Sequence, residues 1–157
     1  MRTIREQLRN NAVALLSLAI AITALGYNTW RNEKTEDQRN IRSAAFRVLE
    51  TLGELREVVD DRYYYQPFRT GMGMESALRI RGYGRAAMTR DLMNLMPPPA
   101  PATGQELHAA WIKHFNVLDE LGSDGKHSAR ATESEQAIGT ALEESRKVVL
   151  EVIAGLD

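Results

Sequence analysis

Three histidines, His108, His114 and His127, are the side chains of this 157-residue chain best suited to metal ligation or proton transfer. A di-metal site in a helical bundle needs Glu-x-x-His pairs that point inward, and the sequence has none. His108 and His114 are six residues apart, about 240° around a helix, so they cannot share a helical face. We therefore predict no metal site and no cofactor, and we interpret His114 as a core residue.

Motifs for nucleophilic catalysis and for phosphate binding are also missing. The sequence has no G-x-S-x-G and no Walker loop, and Gly82-Tyr83-Gly84 lacks the rest of a nucleotide fingerprint. The absence of cysteine excludes disulfides, thiolate metal sites and a cysteine nucleophile. A net charge of −1, with an acidic C-terminal half, gives no attraction to nucleic acid. We expect a protein that is not an enzyme and does not bind nucleic acid.

A cluster of aromatic and basic residues is the best candidate for a binding patch. Its aromatic residues surround Pro67, which cannot continue a helix. Its arginines follow in a stretch that has five arginines and one acidic residue between positions 69 and 90. Such a patch could hold a partner or a small ligand, but tyrosines at a corner more often cap a bundle core. The candidate residues are Tyr63, Tyr64, Tyr65, Phe68, Arg79, Arg81 and Arg85.

The longest apolar stretch, residues 11–30, contains no charged side chain. As a helix, its last 19 residues span roughly 28 Å, about the thickness of a bilayer's hydrocarbon core. Tyr27 and Trp30 at its far end are amphipathic rings of the kind found at membrane interfaces. We predict a transmembrane helix, with the lipid bilayer as its surroundings. A signal peptide cleaved after Ala24-Leu25-Gly26 is the alternative.

Small residues form one face of the predicted span. Ser17, Ala21 and Ala24 are spaced four and three apart, and such a face allows another helix to approach closely. The simpler interpretation is that alanine is common in membrane spans. If the face has a function, it predicts packing against another membrane subunit or a second copy of the chain.

Apolar residues at alternating spacings of four and three predict the helices that follow the span. The first helix extends to about Tyr65, the second covers residues 71–96, the third opens with a capping box at Thr103, and the fourth opens with one at Thr132. The first stripe is Ile41, Ala45, Val48, Leu52, Leu55 and Val59. The second is Ala77, Ile80, Gly84, Ala87, Met88, Leu92 and Leu95. The third is Leu107, Trp111, His114, Leu118 and Leu121, and the fourth is Ile138, Leu142, Ser145, Val149, Val152 and Leu156.

These patterns predict an all-α protein in which the N-terminal transmembrane helix continues into an antiparallel four-helix bundle. Four prolines between Met96 and Ala102 predict an extended polyproline II crossover between the second and third helices. The predicted domains are a short basic tail (1–10), the transmembrane helix (11–30), a polar helical stalk (31–42) and the bundle (43–157).

The layout of basic tail, span and helical domain resembles, in outline, the ligand domains of bacterial chemoreceptors. Those domains return through a second membrane helix, and the sequence up to Asp157 shows no second span, so we expect no signalling by the two-helix route. We predict an accessory or scaffold subunit of a membrane complex or homo-oligomer. The alternative is a tethered module that binds or senses a small ligand. We expect a bacterial-type inner membrane, with the N-terminus cytoplasmic and the bundle periplasmic.

Overall fold

The computed structural model describes residues 11–65 and 72–156. Within these ranges the chain has four α-helices and no β-strand, which confirms the all-α prediction. Helix α1 spans Ala12–Asp60 and continues as a π-helical turn at Asp61–Tyr65; α2 spans Met72–Met93; α3 spans Ala100–His114 and is followed by a 3₁₀ turn at Phe115–Val117; α4 spans Ala129–Ala154.

Backbone contacts divide the chain into two compact units, Met1–Asn40 and Ile41–Asp157. In the first unit, every described side chain except the half-buried Gln38 is exposed. The second unit has a hydrophobic core to which all four helices contribute. We describe the two units separately.

The core of the second unit uses most of the stripes expected on α1, α3 and α4. On α1, Ile41 is half-buried, and the other five stripe residues are buried. All six stripe residues on α4 and in the turn after it are buried. On α3 and beyond, His114 is half-buried and Leu121 is exposed, so the third stripe ends earlier than expected. The buried members of that stripe are Leu107, Trp111 and Leu118.

The face predicted for the second helix is wrong. The residues of α2 that enter the core are Leu78, Gly82, Ala86, Thr89 and Met93. Of the predicted face, Ala87 and Leu92 are half-buried, and the other residues are exposed, with Ile80 at 75% and Leu95 at 65%. The reason is steric fit. A Cβ atom on Gly82 would lie only 2.5 Å from Cζ2 of the buried Trp111, so this large ring can pack there only against glycine.

Both helices predicted to begin at a capping box begin earlier. Helix α3 starts at Ala100, and the Thr103 hydroxyl donates a hydrogen bond to the Pro99 carbonyl (3.3 Å) instead of capping a free amide. Helix α4 starts at Ala129, with Ser128 as its N-cap; the Ser128 hydroxyl accepts a hydrogen bond from the Ala131 amide (3.0 Å).

The proline-rich crossover is shorter than predicted. Pro99 has φ −91° and ψ 5°, outside the polyproline II region, and Pro101 lies within the first turn of α3. Proline is tolerated in a first helical turn because the amides there have no partner inside the helix. The extended spacer predicted from Met96 to Ala102 is therefore wrong for its second half.

Contacts at both ends of two helix pairs hold the second unit together. Arg42 Nη2 on α1 donates to the Leu156 carbonyl in the turn after α4 (2.6 Å), and Arg56 Nη2 on α1 donates to Glu135 Oε1 on α4 (2.8 Å). Between α2 and α3, Trp111 packs on Gly82, and a Cβ on Gly104 would lie 2.9 Å from Met93 Cβ. The glycines allow the α2 and α3 backbones to approach closely.

Candidate functional site

The N-terminal part of α1 exposes a continuous set of large apolar side chains. Its most apolar 18-residue window has a mean hydropathy of 1.7, and none of that window is buried by the rest of the chain. Among the described residues this is the one helix long and apolar enough to cross a membrane. Leaving a Leu or Ile side chain in water forfeits about 1.5–3 kcal/mol relative to burial. The exposed residues are Val13, Leu15, Leu16, Leu18, Ile20, Ile22, Leu25, Tyr27 and Trp30.

Two hydroxyl groups in this segment are satisfied by their own helix. Thr23 Oγ1 donates to the Ala19 carbonyl (2.9 Å), and Thr29 Oγ1 donates to the Leu25 carbonyl (3.0 Å). In hydrocarbon an unsatisfied polar group costs several kcal/mol. The two threonines are therefore compatible with lipid on all sides.

The small-residue face contains two polar groups that, unlike the two threonine hydroxyls, are not hydrogen-bonded within the helix by their side chains. Ser17, Ala21 and Ala24 are exposed, and Asn28 continues their 4-3-4 spacing, so these four residues lie along one stripe. Within the described residues, the Ser17 hydroxyl and the Asn28 carboxamide make no side-chain hydrogen bond. Sequence reasoning missed Asn28, and its spacing from Ala24 was the signal that could have revealed it.

The aromatic residues at the end of this segment lie close to a basic residue. The ring centroids of Tyr27 and Trp30 are 6.1 Å apart, and Lys34 Nζ is 6.0 Å from the Trp30 centroid. All three side chains are exposed. An indole ring beside an ammonium group suits the headgroup region, where apolar surface, water and phosphate meet.

The structure separates the three tyrosines of the candidate binding patch. Tyr63 is buried: its ring stacks on His127 with centroids 3.9 Å apart, and its hydroxyl lies 3.2 Å from Thr132 Oγ1. Tyr64 and Tyr65 are exposed. Tyr63 therefore fastens the loop before α4 to the end of α1. Phe68 lies outside the described residues.

The three candidate arginines also have different surroundings. Arg85 forms an ion pair with Glu54 on α1, and the Arg79 guanidinium carbon lies 5.9 Å from the Tyr83 ring centroid on its own helix. Arg81 is exposed and lines a cleft of about 530 Å³ between the end of α1 and α2. Of the seven candidate patch residues, this cleft brings together Arg81 and Tyr65.

The cleft carries charges of both signs. Asp60, Asp61 and Glu57 stand beside Arg56 and Arg81 in its wall. Burial opposes ionisation of Arg56, but its hydrogen bonds and charge interactions with Asp60 and Glu135 outweigh this and raise its pKa. Arg56 is therefore engaged with its neighbours in the cleft and on α4.

A buried arginine close to this end of α1 was missed by sequence reasoning. Arg62 is 4% exposed, donates to Asp119 Oδ1 (3.0 Å), and places its guanidinium carbon 4.8 Å from the Phe115 ring centroid. Arg62 follows Val59 by three residues and therefore continues the buried stripe of α1. That spacing was the available signal.

The histidines have structural surroundings. His114 Nδ1 lies 3.1 Å from the hydroxyl of the buried Ser134. Burial, and then the charge of Lys113, lower the pKa of His114; burial and Arg90 do the same to the pKa of His108. Among the described residues no three His, Cys, Asp or Glu side chains are grouped to hold a metal ion.

No protein-family model, no curated protein and no solved structure matches this chain.

Proposed function

We propose that this chain is a non-enzymatic, single-pass membrane protein that acts as an accessory or scaffold subunit of a membrane complex or homo-oligomer. The observation that carries the proposal is the apolar segment of α1, whose large side chains are all exposed. Lipid removes that surface from water without requiring any further part of the chain.

The polar side chains of the segment are compatible with a membrane span. The threonine hydroxyls bond within the helix, as groups facing hydrocarbon must. The polar groups without a side-chain hydrogen bond, on Ser17 and Asn28, share a stripe with Ala21 and Ala24. Such polar groups hydrogen-bond across helix interfaces in membranes, where small residues allow close approach. We assign this stripe to contact with another membrane helix.

The second unit is the helical domain of the proposed membrane subunit. We propose that its four helices form an antiparallel bundle, supported by the contacts that join α1 to α4 and α2 to α3 at two levels each. We place the N-terminus in the cytoplasm, because a short basic tail is readily retained on the cytoplasmic side. The second unit then lies in the periplasm of a bacterial-type cell.

Membrane extraction tests the span. We expect the full-length chain to stay in the membrane fraction after alkaline carbonate washing and to be released by detergent, with an intact mass that includes Met1. A cleaved signal peptide would instead give a soluble chain beginning near Tyr27.

Cysteine labelling tests the orientation, because the native chain has no cysteine. Thr140 is exposed on α4, so Thr140→Cys should react with a membrane-impermeant maleimide added outside the inner membrane. Labelling that requires permeabilisation of this membrane would place the second unit in the cytoplasm.

The cleft beside Tyr65 and Arg81 supports a second candidate function, a membrane-tethered module that binds a small ligand. Its mixed charges suit a ligand that carries both an anionic and a cationic group. A ligand screen on the detergent-solubilised full chain, read by thermal shift, tests it. Stabilisation that disappears in Arg81→Ala would favour this function.

A further inference from the structure

The outward face of α2 carries a second heptad stripe. Its members, including Leu95 in the turn after α2, are spaced 4-3-4-3-4, and all of them are exposed. Ile80, at 75% exposure, lies beside them. A Cβ on Gly84 would meet no atom within 4 Å. The α2 stripe consists of Ala77, Arg81, Gly84, Met88, Asp91 and Leu95.

We propose that the α2 stripe is a dimer interface, in which α2 packs antiparallel against α2 of a second copy. The two-fold axis of this dimer runs perpendicular to the helices at the level of Ala86. Gly84 then faces Met88 of the second copy, Ala77 faces its Leu95, and Arg81 faces its Asp91. Each contact occurs twice, as an isologous interface requires.

Shape and charge both favour this occupant. Gly84 leaves a gap for the flexible Met88 side chain, and the small Ala77 stands opposite Leu95, which is 65% exposed. The charged pairs have opposite signs in this arrangement, whereas parallel pairing would place Arg81 on Arg81 and Asp91 on Asp91. Both hydrogen bonds from Arg90 to Asp91 end on Oδ1, which leaves Oδ2 for Arg81 of the second copy.

This inference rests on the assembly role proposed above and names the partner as a second copy of the chain. The contact lies in the second unit. Changes in the α2 stripe can therefore be separated experimentally from changes in the apolar segment of α1.

Charge reversal tests the Arg81–Asp91 contact on the full chain in detergent micelles, with molar mass measured by light scattering over a dilution series. Arg81→Asp and Asp91→Arg each create two like-charged contacts, so we expect the dimer Kd to rise at least about tenfold. The double variant restores both pairs and should return Kd to within about twofold of the native value. Lys147→Asp, an equal charge change on exposed α4, is the control and should leave Kd unchanged.

A steric variant tests the Gly84–Met88 contact. Gly84→Leu should abolish the dimer without lowering the stability of the fold, since the space beyond Gly84 is open within the chain. Ala109, exposed on α3, does not line the cleft that contains Arg81, so Ala109→Leu is the control and should retain the dimer.

Disulfide trapping tests the direction of the two helices. In a mixture of Ala77→Cys and Leu95→Cys chains, we expect a disulfide between the two kinds of chain. Ala77→Cys alone should give none, because its two copies would be about 27 Å apart along the helices. A disulfide in Ala77→Cys alone, a monomer at every concentration, or a dimer insensitive to both charge reversals would overturn the proposal. A dimer that survives the reversals but is lost in Asn28→Leu would overturn it while supporting assembly through the span.

Discussion

At the residue scale, two glycines of α2 have different surroundings. Gly82 faces the core, and an added methyl group would collide with Cζ2 of Trp111 and approach Cγ1 of Val58. Gly84, only two residues later, faces outward into open space. Spacing along the sequence cannot separate these roles, because both residues fit a helical pattern. The position of the Trp111 ring decides between them.

Substituting each glycine with alanine tests this difference. We expect Gly82→Ala to lower the free energy of unfolding by about 1–2 kcal/mol, because overpacking outweighs the helix-propensity gain. Gly84→Ala should instead raise it by up to about 1 kcal/mol. Urea denaturation of the two full-length variants in detergent measures both, and equal effects would contradict the packing of Trp111 on Gly82.

Histidine burial predicts a pH dependence of stability. Burial lowers the pKa of His114 and of His108 below the ordinary value of 6.5, so the unfolded chain binds protons more readily than the folded chain. Stability should therefore be fully present above about pH 6.5 and fall as the pH drops through the lowered pKa values. His114→Asn keeps a polar atom near Ser134 but cannot take up a proton in this range. Melting temperatures from pH 7.5 to 5 should show a shallower decline for this variant, and an unchanged decline would exclude a contribution from His114.

At the scale of single helices, the sequence predicts which segments are helical and in what order they occur. It predicts less well where each helix begins and ends and which of its faces is buried. The stripes of α1 and α4 were readable because Val, Leu or Ile occupies five of the eight buried positions on each helix. The buried face of α2 was not readable, because its members include Gly82, Ala86 and Thr89, while Ile80 and Leu95 are exposed. Close backbone packing, which hydrophobicity does not report, selected that face.

The helix starts illustrate a second limit of sequence reasoning. A serine or threonine followed three residues later by glutamate occurs at Thr103 and at Thr132, yet both threonines lie inside helices and bond to carbonyl oxygens. Ser128 caps α4 with no glutamate at the third position after it. Thr132, one turn after the N-cap Ser128, also contacts Tyr63. A contact between residues so far apart in the sequence cannot be read from a local pattern.

The N-cap of α4 gives a prediction at this scale. Ser128→Ala should lower the free energy of unfolding by about 1 kcal/mol, because the Ala131 amide loses its acceptor. Ser123→Ala, in the exposed part of the same loop, should change it by less than about 0.5 kcal/mol. Chemical denaturation of both variants is the measurement. Equal losses would show that Ser128 does not cap the helix.

At the scale of the whole molecule, the candidate site was predicted in part. The apolar segment and its terminal aromatic residues follow from composition and length alone. The members of the predicted binding patch have different neighbours: Tyr63 contacts the loop before α4, Arg85 pairs with Glu54, and Arg81 lines the cleft. Sequence proximity groups such residues, whereas in the fold their side chains contact different elements.

The two proposed contacts of the molecule use different chemistry. The stripe of Ser17, Ala21, Ala24 and Asn28 would associate through close approach and hydrogen bonds, because lipid provides no hydrophobic drive between helices. The α2 stripe would associate in water, through apolar burial and paired charges. We expect Asn28→Leu to weaken association in micelles by about 1 kcal/mol, near fivefold in Kd. Light scattering measures this, and the exposed Leu25→Val serves as the conservative control in the same segment.

The most direct test of the membrane-subunit account is purification of the full-length protein from its native membrane in mild detergent, followed by sizing and mass spectrometry. We predict an intact chain that includes Met1, in a particle with more than one protein subunit at fixed stoichiometry. A soluble chain beginning near Tyr27, or a lone monomer in its micelle, would contradict the account.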